Sequence, residues 1–274
     1  PGGRPHAETM ALAQADVRAK GATAYVTLEP CAHTGQTPPC AAALIVAGIA
    51  RVVVAVEDTD DRVSGKGFAI LRDAGVMLRT GVMAKSALQD HAGFFLKNDI
   101  GRPWVTLKLA NSFDGRIATA SGESRWITGT EARRTVHAMR MRHDAVLVGA
   151  GTARADDPDL TVRGFGAVKQ PIRIVVSQRL DLPLMGQLAL SAKKVPVWVC
   201  HGCEAGSNLR LAWSGLGARL IECPQTAGRL DMVRVLQALG DLGLTRILCE
   251  GGSVLSAALL QNDLVDEIVG FTAG

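Results

Sequence analysis

The stretch "TLEPCAHTGQTPPCAAAL", residues 27–44, sets Cys31 and Cys40 on either side of a loop rich in Pro, Gly and Thr. The other four cysteines all lie at position 200 or beyond. Each of the two stands beside a proline, where one element gives way to another. "TAYVTLE" is rich in β-branched and aromatic residues and reads as a buried strand. "CAAALIVAG" has Pro38 and Pro39 ahead of it and Gly48 behind, and reads as a helix. "ARVVVAVED" follows as a near-continuous apolar run, the pattern of a strand covered on both faces. Upstream, residues from about Ala7 to Ala19 form an Ala-rich helical pattern that Gly21 stops. Helix, strand, helix, strand is the alternation of a mostly parallel α/β sheet.

Two thiols in that position suit a metal. A catalytic zinc takes three protein ligands, usually His or Cys, and keeps a further position open. His6, Cys31 and Cys40 supply such a set. Glu8, two residues from His6 at a helix start, is then free to carry protons. Cys40 opens a helix, where the positive end of the dipole favours a thiolate. A structural zinc would need a fourth ligand, which His33 in the loop could supply, and two unrelated core cysteines remain the other alternative. "HAE" and "EPC" match the zinc deaminases' H-x-E and P-C segments, but "AHTGQTPP" replaces their usual two-residue spacing between cysteines.

The chain has 274 residues, 47% hydrophobic and 20% charged, which suits two packed domains better than one. No apolar run is long enough to span a bilayer and no signal peptide opens the sequence, so a reducing, cytoplasmic setting is expected. Residues 1–100 hold 10 Lys+Arg and 10 Asp+Glu, whereas residues 101–274 hold 20 and 16, so the net charge of +4 belongs to the second half. That surplus is too small for a nucleic-acid footprint and suits a cleft for small anionic ligands.

"DIGRP" reads as a linker, with domains over residues 1–98 and 103–274. Beyond it, "WVTLKLANS", "HDAVLVGAGT", "PIRIVVSQ", "VPVWVCHG", "ARLIECP" and "TRILCEGG" read as strands, with a helix over Thr130–Met141. Gly149 and Gly151 follow a strand, but Arg154 stands where a third glycine would complete a dinucleotide fingerprint, and "DDPD" breaks any helix. A better phosphate cradle is "RILCEGGSVLSAALL", where glycines lead from a strand into a helix near Ser253; a simple glycine turn is the local alternative. "CHGC", Cys200 to Cys203, reads as a strand end with incidental thiols, and His91, His137 and His143 as packing or surface residues.

"TLEPCAHTGQTPPC" closely resembles the zinc-binding segment of the bifunctional riboflavin-biosynthesis deaminase–reductase family. "LKLANSFDGRIA", "SGESRWIT", "GAGTARADDPDLTVR" and "CEGG" occur in the order of that family's reductase domain. The resemblance implies a cytidine-deaminase-like α/β/α zinc domain followed by a dihydrofolate-reductase-like α/β domain that uses NADPH. It implies a small phosphorylated pyrimidine as substrate, with no nucleic-acid or membrane partner, and leaves room for a homo-oligomer. His33 looks like the family's substrate-contacting histidine. Ala110, Trp126, Thr152, Asp156, Ser177, Gly252 and Ser253 look like NADPH contacts. Ser124, Arg140, Leu160, Arg163 and Glu250 look like contacts to the ribosylamino phosphate, with Lys108 and Asp114 flanking the cleft. Arg140 and Arg163 carry the forked donors a phosphate prefers.

"EDTDDRVSGKG" resembles a family loop but holds Thr59 and Asp60 where Pro and Asn are usual, with Gly65 and Gly67 kept. The start at Pro1 and the end at "VDEIVGFTAG", where a strand has barely begun, suggest a fragment; the resemblance implies that a helix and a β-hairpin would precede His6. A nucleoside or tRNA base deaminase with a repurposed second half is the alternative enzyme. The long inter-cysteine loop, the reductase motifs and the scarcity of aromatics in the first half oppose it. A non-catalytic, zinc-stabilised binding protein is a third reading. Replacing Glu8 by Gln should keep zinc in the protein and abolish ammonia release, as metal analysis and an ammonia assay on one preparation would show.

Overall fold

Apolar strands pair in parallel in two separate sheets. The computed structural model describes residues 5–33, 38–60, 63–119 and 127–273, and the chain divides into two units, Pro1–Asp99 and Ile100–Gly274.

In the first unit α1 (Ala7–Ala15) gives way to a 3₁₀ turn over Asp16–Ala19, because Asp16 takes a positive φ of 48°. Next come β1 (Thr23–Leu28), α2 (Cys40–Val46), β2 (Arg51–Val56), α3 (Lys66–Asp73), β3 (Met77–Arg79) and α4 (Ala84–Ile100). The sheet has the order β1-β2-β3, all parallel. Central β2 buries Val52, Val53, Val54 and Ala55, as its unbroken apolar run requires. The flanking β1 differs from the buried strand expected of it. Its exposed and half-buried residues alternate: Ala24 and Val26 turn to the core, while Thr23, Tyr25 and Thr27 share the other, less covered face, where Tyr25 is 76% exposed. Leu44, Val52, Val54, Phe68 and Leu71 form the core here.

The second unit runs β4 (Trp104–Ser112), α5 (Thr130–Met141), β5 (Ala145–Gly149), α6 (Ala150–Asp156), β6 (Ile172–Val176), α7 (Gln187–Ser191), β7 (Val197–His201) and α8 (Ser207–Gly215). After β8 (Arg219–Glu222) a short hairpin, β9 (Gln225–Thr226) and β10 (Arg229–Leu230), leads to α9 (Met232–Asp241), β11 (Arg246–Cys249), α10 (Ser253–Gln261) and β12 (Glu267–Ala273). The parallel sheet has the order β12-β4-β11-β5-β6-β7-β8. Alternate residues of β5 feed two cores. Ala145 and Leu147 pack with Leu236 and Leu239 of α9 and Leu259 of α10. Val146 and Val148 pack with Leu188 of α7 and Trp213 of α8. Both faces are therefore covered, as parallel sheets require.

The "DDPD" segment ends a short helix, as the sequence reading expects: α6 runs over seven residues to Asp156 and stops where Asp157 takes a φ of 41°. One detail departs from that reading: the strand at the end of the chain is well developed, since β12 pairs with β4 from Glu267 to Ala273. Among the described residues no helix is long and apolar enough to cross a membrane.

Arg102 and Asp266 lock β4 to β12 just before both strands begin. The guanidinium donates to both carboxylate oxygens at 2.7 and 2.9 Å, and Val105 N–H adds a third bond at 2.8 Å. Both side chains are nearly buried, at 10% and 11% exposure, so removing one strands the other. Asp266→Ala should lower the unfolding free energy of this unit by about 3–5 kcal/mol, measured by denaturant titration.

Candidate functional site

In the first unit three chain segments meet at the cysteine loop. His6 is the N-cap of α1, Cys31 follows the end of β1, and Cys40 is the first residue of α2. His6 Nδ1 lies 3.3 Å from Cys40 Sγ and 3.6 Å from Cys31 Sγ. Two bonds set the cysteines against each other: Cys40 N–H donates to Cys31 Sγ at 3.2 Å, and Ala41 N–H donates to the Cys31 carbonyl, also at 3.2 Å. The potential ligand atoms of His6, Cys31 and Cys40 all lie within 4.8 Å of one another. Glu8 and His33 are not part of that group.

Electrostatics fit a cation at this point. Burial first, and then the Glu8 charge, push the Cys40 thiol well above its usual range. The favourable helix start is thus outweighed in the protein alone, and a nearby positive ion would restore the thiolate. A hydrogen bond from Thr9 already pulls the other way; the sequence reading missed Thr9, although its place one residue after Glu8 on α1 was in view. His33 Nδ1 is buried without a hydrogen-bond partner among the described residues, an orphaned group of the kind a ligand satisfies.

The second unit brings its candidates together at the carboxyl ends of the strands, where open parallel sheets bind ligands. Lys108 and Ala110 stand on the last part of β4, Glu250 follows β11, Thr152 and Asp156 lie on α6 after β5, and Ser177 follows β6. Gly252 caps α10, and its N–H donates to Thr152 Oγ1 at 3.2 Å. A Cβ on Gly251 would stand 2.7 Å from Leu255 Cδ2, so a larger residue there would displace that side chain. The Ser177 hydroxyl is turned to Asp181 Oδ1 at 3.0 Å. Ser124 and Trp126 lie outside the described residues.

Arg140 is more committed than its sequence suggests. It donates to both Glu250 oxygens at 2.6 and 3.0 Å and to the Thr161 carbonyl at 2.9 Å. It therefore fixes Glu250 and the loop that carries Leu160, whose φ is +60°. Arg163 is the open one, 65% exposed, with Asp159 3.7 Å away. His137, read as a packing residue, has its Nδ1 3.2 Å from Arg163 N. Burial drives the Lys108 ammonium pKa down, opposed by the Glu250 charge and aided by Arg140. Asp114 is 70% exposed on the loop after β4. Cys200 is fully buried, whereas Cys203 is exposed; the hydrogen-bond partner of Cys200 is Cys223, not Cys203.

Known proteins match both units. Residues 2–56 fit the family of the cytidine and deoxycytidylate deaminase zinc-binding region, and residues 103–273 fit the RibD C-terminal domain family. The riboflavin biosynthesis protein RibD of Aquifex aeolicus is 40% identical over 271 residues, covering 99% of this chain and 74% of that protein. The RibD structure of Acinetobacter baumannii superposes with a TM-score of 0.85 at 41% identity, over 99% of this chain and 74% of that one. A diaminohydroxyphosphoribosylaminopyrimidine deaminase/5-amino-6-(5-phosphoribosylamino)uracil reductase from Thermotoga maritima gives a TM-score of 0.82 at 32% identity, over 99% and 73%. With a deaminase zinc region, a reductase domain and relatives that match along nearly its whole length, the chain belongs to the RibD family of bifunctional riboflavin biosynthesis proteins.

Proposed function

We propose that the chain carries out two consecutive steps on one phosphorylated pyrimidine. The first is hydrolytic removal of a ring amino group from a diaminopyrimidinone bearing a ribosylamino phosphate. The second is reduction of the ribosyl group to ribityl. The convergence of His6, Cys31 and Cys40, with Glu8 beside them and outside the ligand group, carries the first half of this reading.

His6, Cys31 and Cys40 would hold zinc, a donor set that leaves one of four positions open. The chemistry zinc supplies in such a site is hydroxide at neutral pH. Glu8, on the first turn of α1, takes up one proton of the attacking water and gives it to the ring nitrogen, then passes the second, from the hydroxyl added to the ring carbon, to the amino group, which leaves as ammonia. His33 presents its unpartnered Nδ1 to the pyrimidine.

In the second unit NADPH would lie against Ala110, Thr152, Asp156, Ser177 and the α10 start, and it supplies hydride. Arg163 meets the phosphate with its exposed fork, while Arg140 holds Glu250 in place and keeps its remaining donors for the same anion. Lys108, its hydration largely stripped by burial, orients the sugar hydroxyls with Asp114 at the rim. Ser124 and Trp126 belong to the same proposal by their place in the family motif.

Removing zinc with a strong chelator should abolish ammonia release and leave NADPH oxidation on deaminated substrate unchanged, with one zinc per chain restoring the first activity. Loss of both activities together would argue against two independent sites. Arg163→Ala should raise the substrate KM for NADPH oxidation by about tenfold, the loss of one charge-assisted contact, with zinc content as in the wild type.

A further inference from the structure

Glu29 lies two residues before Cys31, is 3% exposed, and is neither a ligand candidate nor part of the proton path. Its carboxylate accepts four backbone N–H groups. Oε2 takes those of Asp58 at 3.3 Å and Gly65 at 3.0 Å, and Oε1 takes those of Gly67 at 2.8 Å and Phe68 at 3.2 Å. The last two amides belong to the first turn of α3, whose N-cap, Gly65, has no side chain to offer them. Glu29 therefore caps α3 from the end of β1, across more than 36 residues of sequence. The contact is close: a Cβ on Gly67 would stand 2.1 Å from the Pro30 carbonyl oxygen and 3.0 Å from Glu29 Oε1. On its other side the same corner is fixed by α2, through the Cys40 and Ala41 amides on Cys31.

We infer that Glu29 is a positioning residue for deamination: it clamps the Pro30–Cys31 corner against the start of α3 and so sets where Cys31 Sγ stands relative to His6 and Cys40. The inference rests on the zinc-deaminase reading above. It also explains why a charged side chain is buried here. Four amide donors converge on two oxygens, a task for an acceptor-only group, and an amide of the same shape would turn an NH₂ towards two of those donors.

The test uses the full chain and its Glu29→Gln variant. Wild-type protein without zinc or ammonia release would sink the deaminase reading itself, whatever Glu29 does. Given an active wild type, Glu29→Gln should weaken zinc binding or lower kcat about 10–100-fold, the usual cost of losing a residue that supports a ligand. Zinc binding is read by competition with a chromogenic chelator, and kcat at saturating zinc with KM nearly unchanged. Cobalt(II)-substituted protein should show altered thiolate-to-metal absorption, and NADPH oxidation should match the wild type. A variant that melts earlier yet keeps wild-type zinc affinity, cobalt spectrum and kcat would reduce Glu29 to a staple of the fold and overturn the inference. If Glu29→Gln does not fold, Gly67→Ala provides the second test, because it keeps the carboxylate and presses on the Pro30 carbonyl. The same changes in kcat and cobalt spectrum are expected of it, and wild-type values would likewise overturn the inference.

Discussion

Parallel pairing is the constraint on which both units are built. Two parallel strands cannot be joined by a tight turn, so each needs a crossover, and every crossover leaves from the same end of the sheet. The carboxyl ends of the strands thus become the place where loops and helix starts accumulate. In the first unit the end of β1 delivers Glu29, Pro30 and Cys31, and the end of β2 leads into Asp58. In the second the ends of β4, β5, β6 and β11 deliver Lys108, α6, Ser177 and Glu250. The candidate residues of both units thus occupy equivalent positions because one topological rule places them.

Charge is then distributed by what each end must hold. The first unit is neutral overall but concentrates two thiols, an imidazole and a carboxylate at one point, and burial drives one of those thiols up. Such a group is uncomfortable by itself and settled by a divalent ion. The second unit carries the positive surplus and spends part of it internally. Arg102 is tied to Asp266, Arg140 to Glu250 and buried Arg173 to the carbonyls of Asp159, Ser191 and Val195. What remains exposed, Arg163 among it, faces solvent where an anion can arrive. The sequence count of +4 therefore understates how selectively positive charge is presented.

Local patterns were legible where the physics is local. The unbroken apolar run of β2, the helix over Thr130–Met141 and the glycine-led start of α10 all appear where the sequence reading puts them. Cys31 and Cys40 could be paired by eye because prolines and element boundaries flank both. The failures involve partners distant in the chain. The exposure of β1 depends on what covers each of its two faces, and only the face of Ala24 and Val26 meets the core. Arg140 reads as a free anion binder until Glu250, 110 residues on, is found beside it. Glu29 looks like an ordinary residue of a strand end until the amides of α3 close over it.

The distinction between a structural and a catalytic ion turns on how many ligands the protein can bring. Four would close the coordination sphere, and three leave a place for a reacting molecule. His33 was the only other donor in the cysteine loop, yet its ring is not within the 4.8 Å group formed by His6, Cys31 and Cys40. Glu8 is one residue from His6's neighbour on the same helix turn, near enough for its charge to act on Cys40 and still outside the group. A carboxylate that feels the site without joining it is what proton transfer requires, since a ligand oxygen would already be committed. The short step from His6 to Glu8 achieves this because a helix start turns successive side chains to different sides. On the proposed reading, one helical turn thus holds both a ligand and the base beside it.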